Sequence, residues 1–151
     1  MKNATGKMTG VEVIRLGPGE DIYESIMEVC RQKNIRGGVI LSMHASTDGA
    51  KFFVPTYKPE TKAKYGYSDP VVLEGQFEML AAGGIISHLD DEVRAHIHCS
   101  FGDGTGKAYG GHLIPGNKVL LTAEIAIGIL EEIDVNQRWC PDIEFYVLSP
   151  E

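Results

Sequence analysis

Helical periodicity is confined to one short stretch of this chain, and almost everything after it alternates like β-strand. Ile22, Ile26, Val29 and Cys30 recur at helical spacing, with Glu24, Glu28, Arg31 and Lys33 turned away. The breaker "GPGED" opens this helix, placing Glu20 and Asp21 in a first turn where the helix dipole favours acids; its end is expected near Asn34. "VEVIRL", Val11 to Leu16, reads as a strand before the helix, and Val39 to about Ala45 as a buried strand after it. One helix followed by many turn-separated strands settles into an α+β fold, an antiparallel sheet flanked by that helix. With 151 residues, no repeats and no internal linker, the chain is expected to form a single domain over residues 1–151.

The middle of the chain is less regular. From Thr47 to Pro70 it is polar, aromatic and rich in breakers, so one short strand around Lys51 to Val54 and much loop are expected. Lysines 51, 58, 62 and 64 alternate there with Phe52, Phe53, Tyr57, Tyr65 and Tyr67. That mixture can stack bases, but the favoured reading packs the aromatics onto the sheet and leaves the lysines in solvent. Further strands are expected at Val71 to Ala82, Gly83 to His88, Arg94 to Phe101, Lys107 to Ile114, Val119 to Leu130 and Ile143 to Leu148.

The chemistry concentrates in "AHIHCSFGDGTGKAYGGHL", Ala95 to Leu113, which holds three of the five histidines. On a strand, His96, His98 and Ser100 share one face, while Ile97, Cys99 and Phe101 take the core face. Closing the hairpin through a three-residue loop, Asp103 to Thr105, pairs His96 with His112 and Gly110 with His98. All three imidazoles then lie on one face, with Gly110 leaving room for a ligand. A two-residue Asp103-Gly104 turn is the alternative, and it sends His112 to the opposite face. Converging imidazoles with an open position form an accessible site for a divalent metal, zinc being the expected ion. The competing reading is a polar cluster that titrates near neutrality without metal. Cys99 points away and is left out of the ligand set; His44 and His88 read as structural.

Charge and cysteine content narrow the partners. Fourteen basic against 21 acidic residues give a formal charge of -7, which disfavours phosphate-rich partners. Three cysteines with no CxxC pair suit a reducing compartment. No secretory signal and no membrane-spanning segment is read, so a cytoplasmic location is expected.

"RLGPGEDIYESI", "EGQFEML", "HIHCSFGDGTGKAYGGHL" and "TAEIAIG" follow one another in an order that resembles the plant-and-prokaryote-conserved (PPC) domain, and together they span most of the chain. The resemblance implies a homotrimer and carries a metal site onto His96, His98 and His112. It also brings a DNA-binding label, because in plants the domain follows an AT-hook. Here "IRGG" at Ile35 to Gly38 lacks the hook's second arginine and its proline, so no nucleic-acid partner is expected. Glu78, within the motif at Glu74 to Leu80, is a candidate to orient an imidazole or to act as a base, with Glu124 behind it. The functional expectation is a homotrimeric metal-binding protein to which a small molecule can bind. The alternatives are a metal-dependent hydrolase or hydratase using a metal-bound water, and a DNA-binding regulatory module.

Overall fold

A computed structural model describes residues 1–151. The elements run β1 (Lys7–Leu16), α1 (Ile22–Gln32), β2 (Gly38–Phe53), β3 (Pro55–Tyr57), β4 (Tyr65–Tyr67), β5 (Val71–Leu89), β6 (Glu92–Asp103), β7 (Ala108–Leu113), β8 (Lys118–Glu131), β9 (Gln137–Cys140) and β10 (Phe145–Leu148). The chain is α+β, as its periodicity implied: one helix against an antiparallel sheet. No helix is long and apolar enough to cross a membrane.

The helix obeys its local signals, with one adjustment at its start. Asp21 is the N-cap rather than a first-turn residue, and its carboxylate accepts from the Glu24 amide at 3.1 Å. Its other oxygen accepts from the Gly116 amide at 2.8 Å, which ties the helix start to the turn before β8. At the far end Asn34 turns left-handed (φ 54°), and the Ile35 amide returns to the Cys30 carbonyl. Ile22, Ile26, Met27 and Cys30 are buried against the sheet.

Six strands form the main sheet in the order β1-β8-β2-β5-β6-β7. The last strand also reaches back to β2, where Phe52 pairs with Leu113 and Phe53 with His112. β2, β5, β6 and β7 therefore close into a ring around Phe52, Phe101, Ile97 and Leu113.

Two strands are longer than expected. β2 does not stop near Ala45 but runs to Phe53, because Gly49 (φ 84°) opposite Gly75 (φ 111°) absorbs a bulge without ending the ladder. The expected strand at Lys51 to Val54 is the end of β2. Val71–Ala82 and Gly83–His88 are one 19-residue strand, flanked by β2 and β6. Much of the expected 47–70 loop is thus strand, with β3 and β4 making a small separate hairpin. A second hairpin, β9–β10, contains a strand at Gln137–Cys140 that the sequence reading missed.

Close approach of β5 to β6 rests on Gly84. A Cβ there would strike the His96 carbonyl oxygen and come within 2.8 Å of Ile97 Cα, whereas one on the adjacent Gly83 would meet nothing within 4 Å. Gly84→Ala is expected to destabilise the fold by about 1–3 kcal/mol through overpacking. Gly83→Ala is expected to be neutral or to stabilise by up to ~1 kcal/mol, because alanine loses less backbone entropy. Chemical denaturation of both variants checks this, and equal effects would contradict the packing argument.

Candidate metal centre

β6 follows strict alternation. Ala95, Ile97, Cys99 and Phe101 are buried, and His96 and His98 point outward. β7 lies beside it with His98 opposite His112, Cys99 opposite Gly111 and Ser100 opposite Gly110. The expected pairing of His96 with His112, and of Gly110 with His98, is therefore wrong by two residues.

The turn explains the difference. The Asp103 amide donates to the Lys107 carbonyl at 3.0 Å, so the loop is Gly104–Gly106, of the expected length but one position later, with Gly106 at φ 84°. Sliding a loop by one residue slides the pairing by two, and a shift of two leaves every side chain on its own face. Asp103 sets this turn. Its carboxylate accepts from the Thr105 hydroxyl at 2.7 Å, the Thr105 amide at 2.8 Å, and the Lys107 amide and Tyr109 hydroxyl at 3.0 Å each. These bonds, led by that of the Thr105 hydroxyl, pull its pKa down to about 2. Gly110 is not the gap that keeps the site open: a Cβ there would land on the Cys99 carbonyl oxygen.

The three imidazoles do converge. One donor nitrogen from each of His96, His98 and His112 lies within 4.8 Å of the others. The Nε2 atoms of His96 and His98 are 3.0 Å apart, and the ring centroids are separated by 4.9, 4.9 and 5.5 Å. His112 is braced from β2 and β4. Phe53 stacks on it at 6.4 Å, and the Tyr67 hydroxyl sits 3.3 Å from its Nδ1. With Nδ1–H donating to that hydroxyl oxygen, Nε2 carries the free lone pair. Opposite His98, on β5, stands Gly83, the glycine that leaves open space beside it.

The environment resists positive charge on His96 and His112. Burial, followed by His96 and His98, lowers His112 to about 4; burial and then His98 lower His96. Burial also raises the Tyr67 hydroxyl, keeping it protonated at neutral pH.

The acidic candidates do not join the cluster. Glu78 pairs with Gly102 on β6, four residues along from His98, and makes no hydrogen bond to an imidazole. Glu124 is engaged on β8, 2.9 Å from His44 Nε2 and accepting from the Thr122 hydroxyl at 2.7 Å. Cys99 faces the core, where burial pushes its thiol up to about 12. His88 is held between Arg36 Nη2 at 3.0 Å and Asp134 Oδ1 at 2.6 Å. The supporting residues Phe53 and Tyr67 went unassigned in the sequence reading. Their aromatic character was visible, but nothing local links them to a histidine some sixty or forty-five positions away.

Beside His96 and His112 opens a cleft of about 980 Å³, walled by α1 and by the β3–β4 and β9–β10 hairpins. The hairpins are tied together at their tips. The Lys62 amide donates to Glu144 at 2.9 Å, and its ammonium to the Pro141 carbonyl and Asp142 at 2.9 and 3.0 Å. Lys64 donates to the Pro59 carbonyl at 2.7 Å.

The Plants and Prokaryotes Conserved (PCC) domain model matches residues 3–131. The chain belongs to that family. The resemblance read from its motifs is therefore correct, and the match ends with β8, before the β9–β10 hairpin. A metal-containing protein from Archaeoglobus fulgidus has the same PCC fold, with a TM-score of 0.83 at 24% identity, over 98% of this chain and 99% of that one. A PPC protein from Pyrococcus horikoshii superposes with a TM-score of 0.79 at 22% identity, over 97% of each chain. Among curated proteins, a bifunctional protein GlmU from Synechococcus is 31% identical over 114 residues, which is 76% of this chain but only 16% of that protein.

The depressed His112 pKa makes the metal-free PCC domain sensitive to mild acid. An unfolded imidazole titrates near 6.5, so between there and about 4 the unfolded chain binds the extra proton. Stability is therefore fully present above 6.5 and declines as pH falls toward 4. Melting temperature against pH should fall more steeply across this window for the metal-free wild type than for His112→Gln. Parallel curves would contradict the assignment.

Proposed function

We propose that this PCC-domain protein is a homotrimeric binding protein that holds one divalent cation, zinc foremost, on His96, His98 and His112. The 3.0 Å separation of two Nε2 atoms carries this reading. At this distance the two nitrogens either share one proton as an N–H···N hydrogen bond or, with that proton gone, both turn a lone pair toward a common cation. Tetrahedral zinc takes nitrogen at 2.0–2.1 Å, which puts neighbouring donors roughly 3.3 Å apart, close to the 3.0 Å of the His96–His98 pair and within the 4.8 Å spread of the three. Lowered affinity for protons at His112 and His96 leaves the lone pairs available, and the Tyr67 hydroxyl orients the His112 ring. The description of the Archaeoglobus relative as metal-containing lends support. A bound ion would supply Lewis-acid polarisation to a ligand oxygen.

Binding is favoured over hydrolysis because no carboxylate reaches the three imidazoles to serve as a base: Glu78 is remote and Glu124 is occupied. A DNA-binding role is disfavoured by the charge of -7 and by the engagement of Lys62 and Lys64 within the hairpins. Assembly is supported by exposed apolar side chains on three strands: Val11 and Val13 of β1, Leu41 of β2 and Leu80 of β5 are 50, 72, 47 and 57% exposed. Three unpaired cysteines suit a reducing, cytoplasmic setting.

Protein purified without a polyhistidine tag is expected to retain about one equivalent of metal per chain by elemental analysis, and to lose it when all three histidines become alanine. Tyr67→Phe should weaken metal affinity about tenfold by freeing the His112 ring. Sedimentation should give three times the chain mass. Metal content indifferent to the triple substitution would sink the centre, and a monomeric mass would sink the assembly.

A further inference from the structure

The 980 Å³ cleft sits at the upper end of the range for small-molecule sites, and two of the three imidazoles line one end of it. Its walls are chiefly apolar and aromatic. Tyr67 and Phe145 meet edge-to-face at 5.8 Å, Met27 closes the helix side, and the Arg94 guanidinium lies over the Tyr146 ring at 5.7 Å. Flat surfaces of this kind accept a flat apolar body.

Charge selects the other end of the ligand. The lining acids Glu24 and Glu92 are matched by Arg31 and Arg94, and Arg94 donates to Glu92 at 2.8 Å, so the walls are close to neutral. The three-histidine cluster contributes no negative charge, and no carboxylate touches it. A divalent cation held there keeps its full charge at the mouth of a largely apolar cleft, and its open coordination positions favour an anionic oxygen ligand.

We propose that the cleft binds a small planar aromatic carboxylate, its carboxylate on the cation held by His96, His98 and His112 and its ring against Tyr67 and Phe145. This rests on the metal reading above. The cleft assigns the body of the ligand, and the charge of the donor set assigns its head. The β9–β10 hairpin, which follows the part of the chain matched by the family model, supplies the Phe145 and Tyr146 walls.

The test titrates zinc-loaded wild-type protein with 2-naphthoate, following ligand fluorescence, alongside acetate and the neutral 2-naphthylmethanol, with metal content measured on the same samples. 2-Naphthoate should bind at least about tenfold more tightly than either comparison compound, because only it offers both parts. Chelation of the metal should weaken it by about tenfold or more. Phe145→Ala and, as a second variant, Tyr146→Ala should each weaken it about five- to tenfold while leaving acetate unmoved. Metal-loaded protein that binds acetate and naphthoate equally overturns the proposal and leaves the metal centre standing. Naphthoate binding that ignores both chelation and Phe145→Ala places the ligand elsewhere and overturns it too. Wild-type protein that retains no zinc removes the metal centre and, with it, this proposal.

Discussion

The grip on β7 is the constraint from which the rest follows. This six-residue strand is hydrogen-bonded on one edge to β6 and on the other to the end of β2, and that double pairing closes the ring. Such proximity is possible because Gly110 and Gly111 carry no side chains. A Cβ on the first would clash with the Cys99 carbonyl oxygen, and one on the second with the Phe53 carbonyl oxygen. The glycine pair thus brings three backbones together, and His112, the next residue, is placed between Phe53 and His98 as a result. The histidine cluster is a by-product of how the sheet closes.

That constraint explains which parts of the site were legible in the sequence. Alternation along one strand is a local property, so the common face of His96 and His98 could be read directly. Adding His112 needed only the parity of the hairpin, and parity survived an error in loop position because loop slides move the register in steps of two. The exact partners did not survive it. Open space beside His98 comes from Gly83 on β5, a neighbour set by a pairing that no hairpin count through "GDGTG" can reveal. Phe53 and Tyr67 were hidden for the same reason: Phe53 meets His112 through the pairing of β2 with β7, and Tyr67 through the placement of the β3–β4 hairpin. The fold class was legible because one amphipathic helix and a run of turns leave few architectures. Strand lengths were not: Gly49 and the Gly83-Gly84 pair look like breaks locally, yet the β2–β5 ladder continues past the first and the β5–β6 ladder runs through the second.

Electrostatically, the cluster is poised between two occupants. Burial and repulsion from the neighbouring rings make His96 and His112 poorer homes for a proton, and the three donor nitrogens lie within 4.8 Å of one another. In the proposed metal centre, a metal and a proton would compete for the same nitrogens. Glu78 and Glu124 stay outside this competition, the first for lack of contact and the second because His44 and Thr122 already use its oxygens. A set of donors without compensating acid keeps whatever charge it captures, which distinguishes it from a carboxylate-rich site that neutralises its own metal.

The two hairpins beside the cluster are joined differently from the sheet beneath them. Their link is Lys62 with Asp142 and Glu144, groups left largely in water; the Lys62 and Asp142 side chains are 57 and 83% exposed. Attraction between charges so placed weakens as electrolyte is added, while apolar contacts such as Tyr67 with Phe145 do not. Ionic strength therefore weakens the charged link between the hairpin tips and spares the apolar contacts that line the cleft, the surface a guest would rest on.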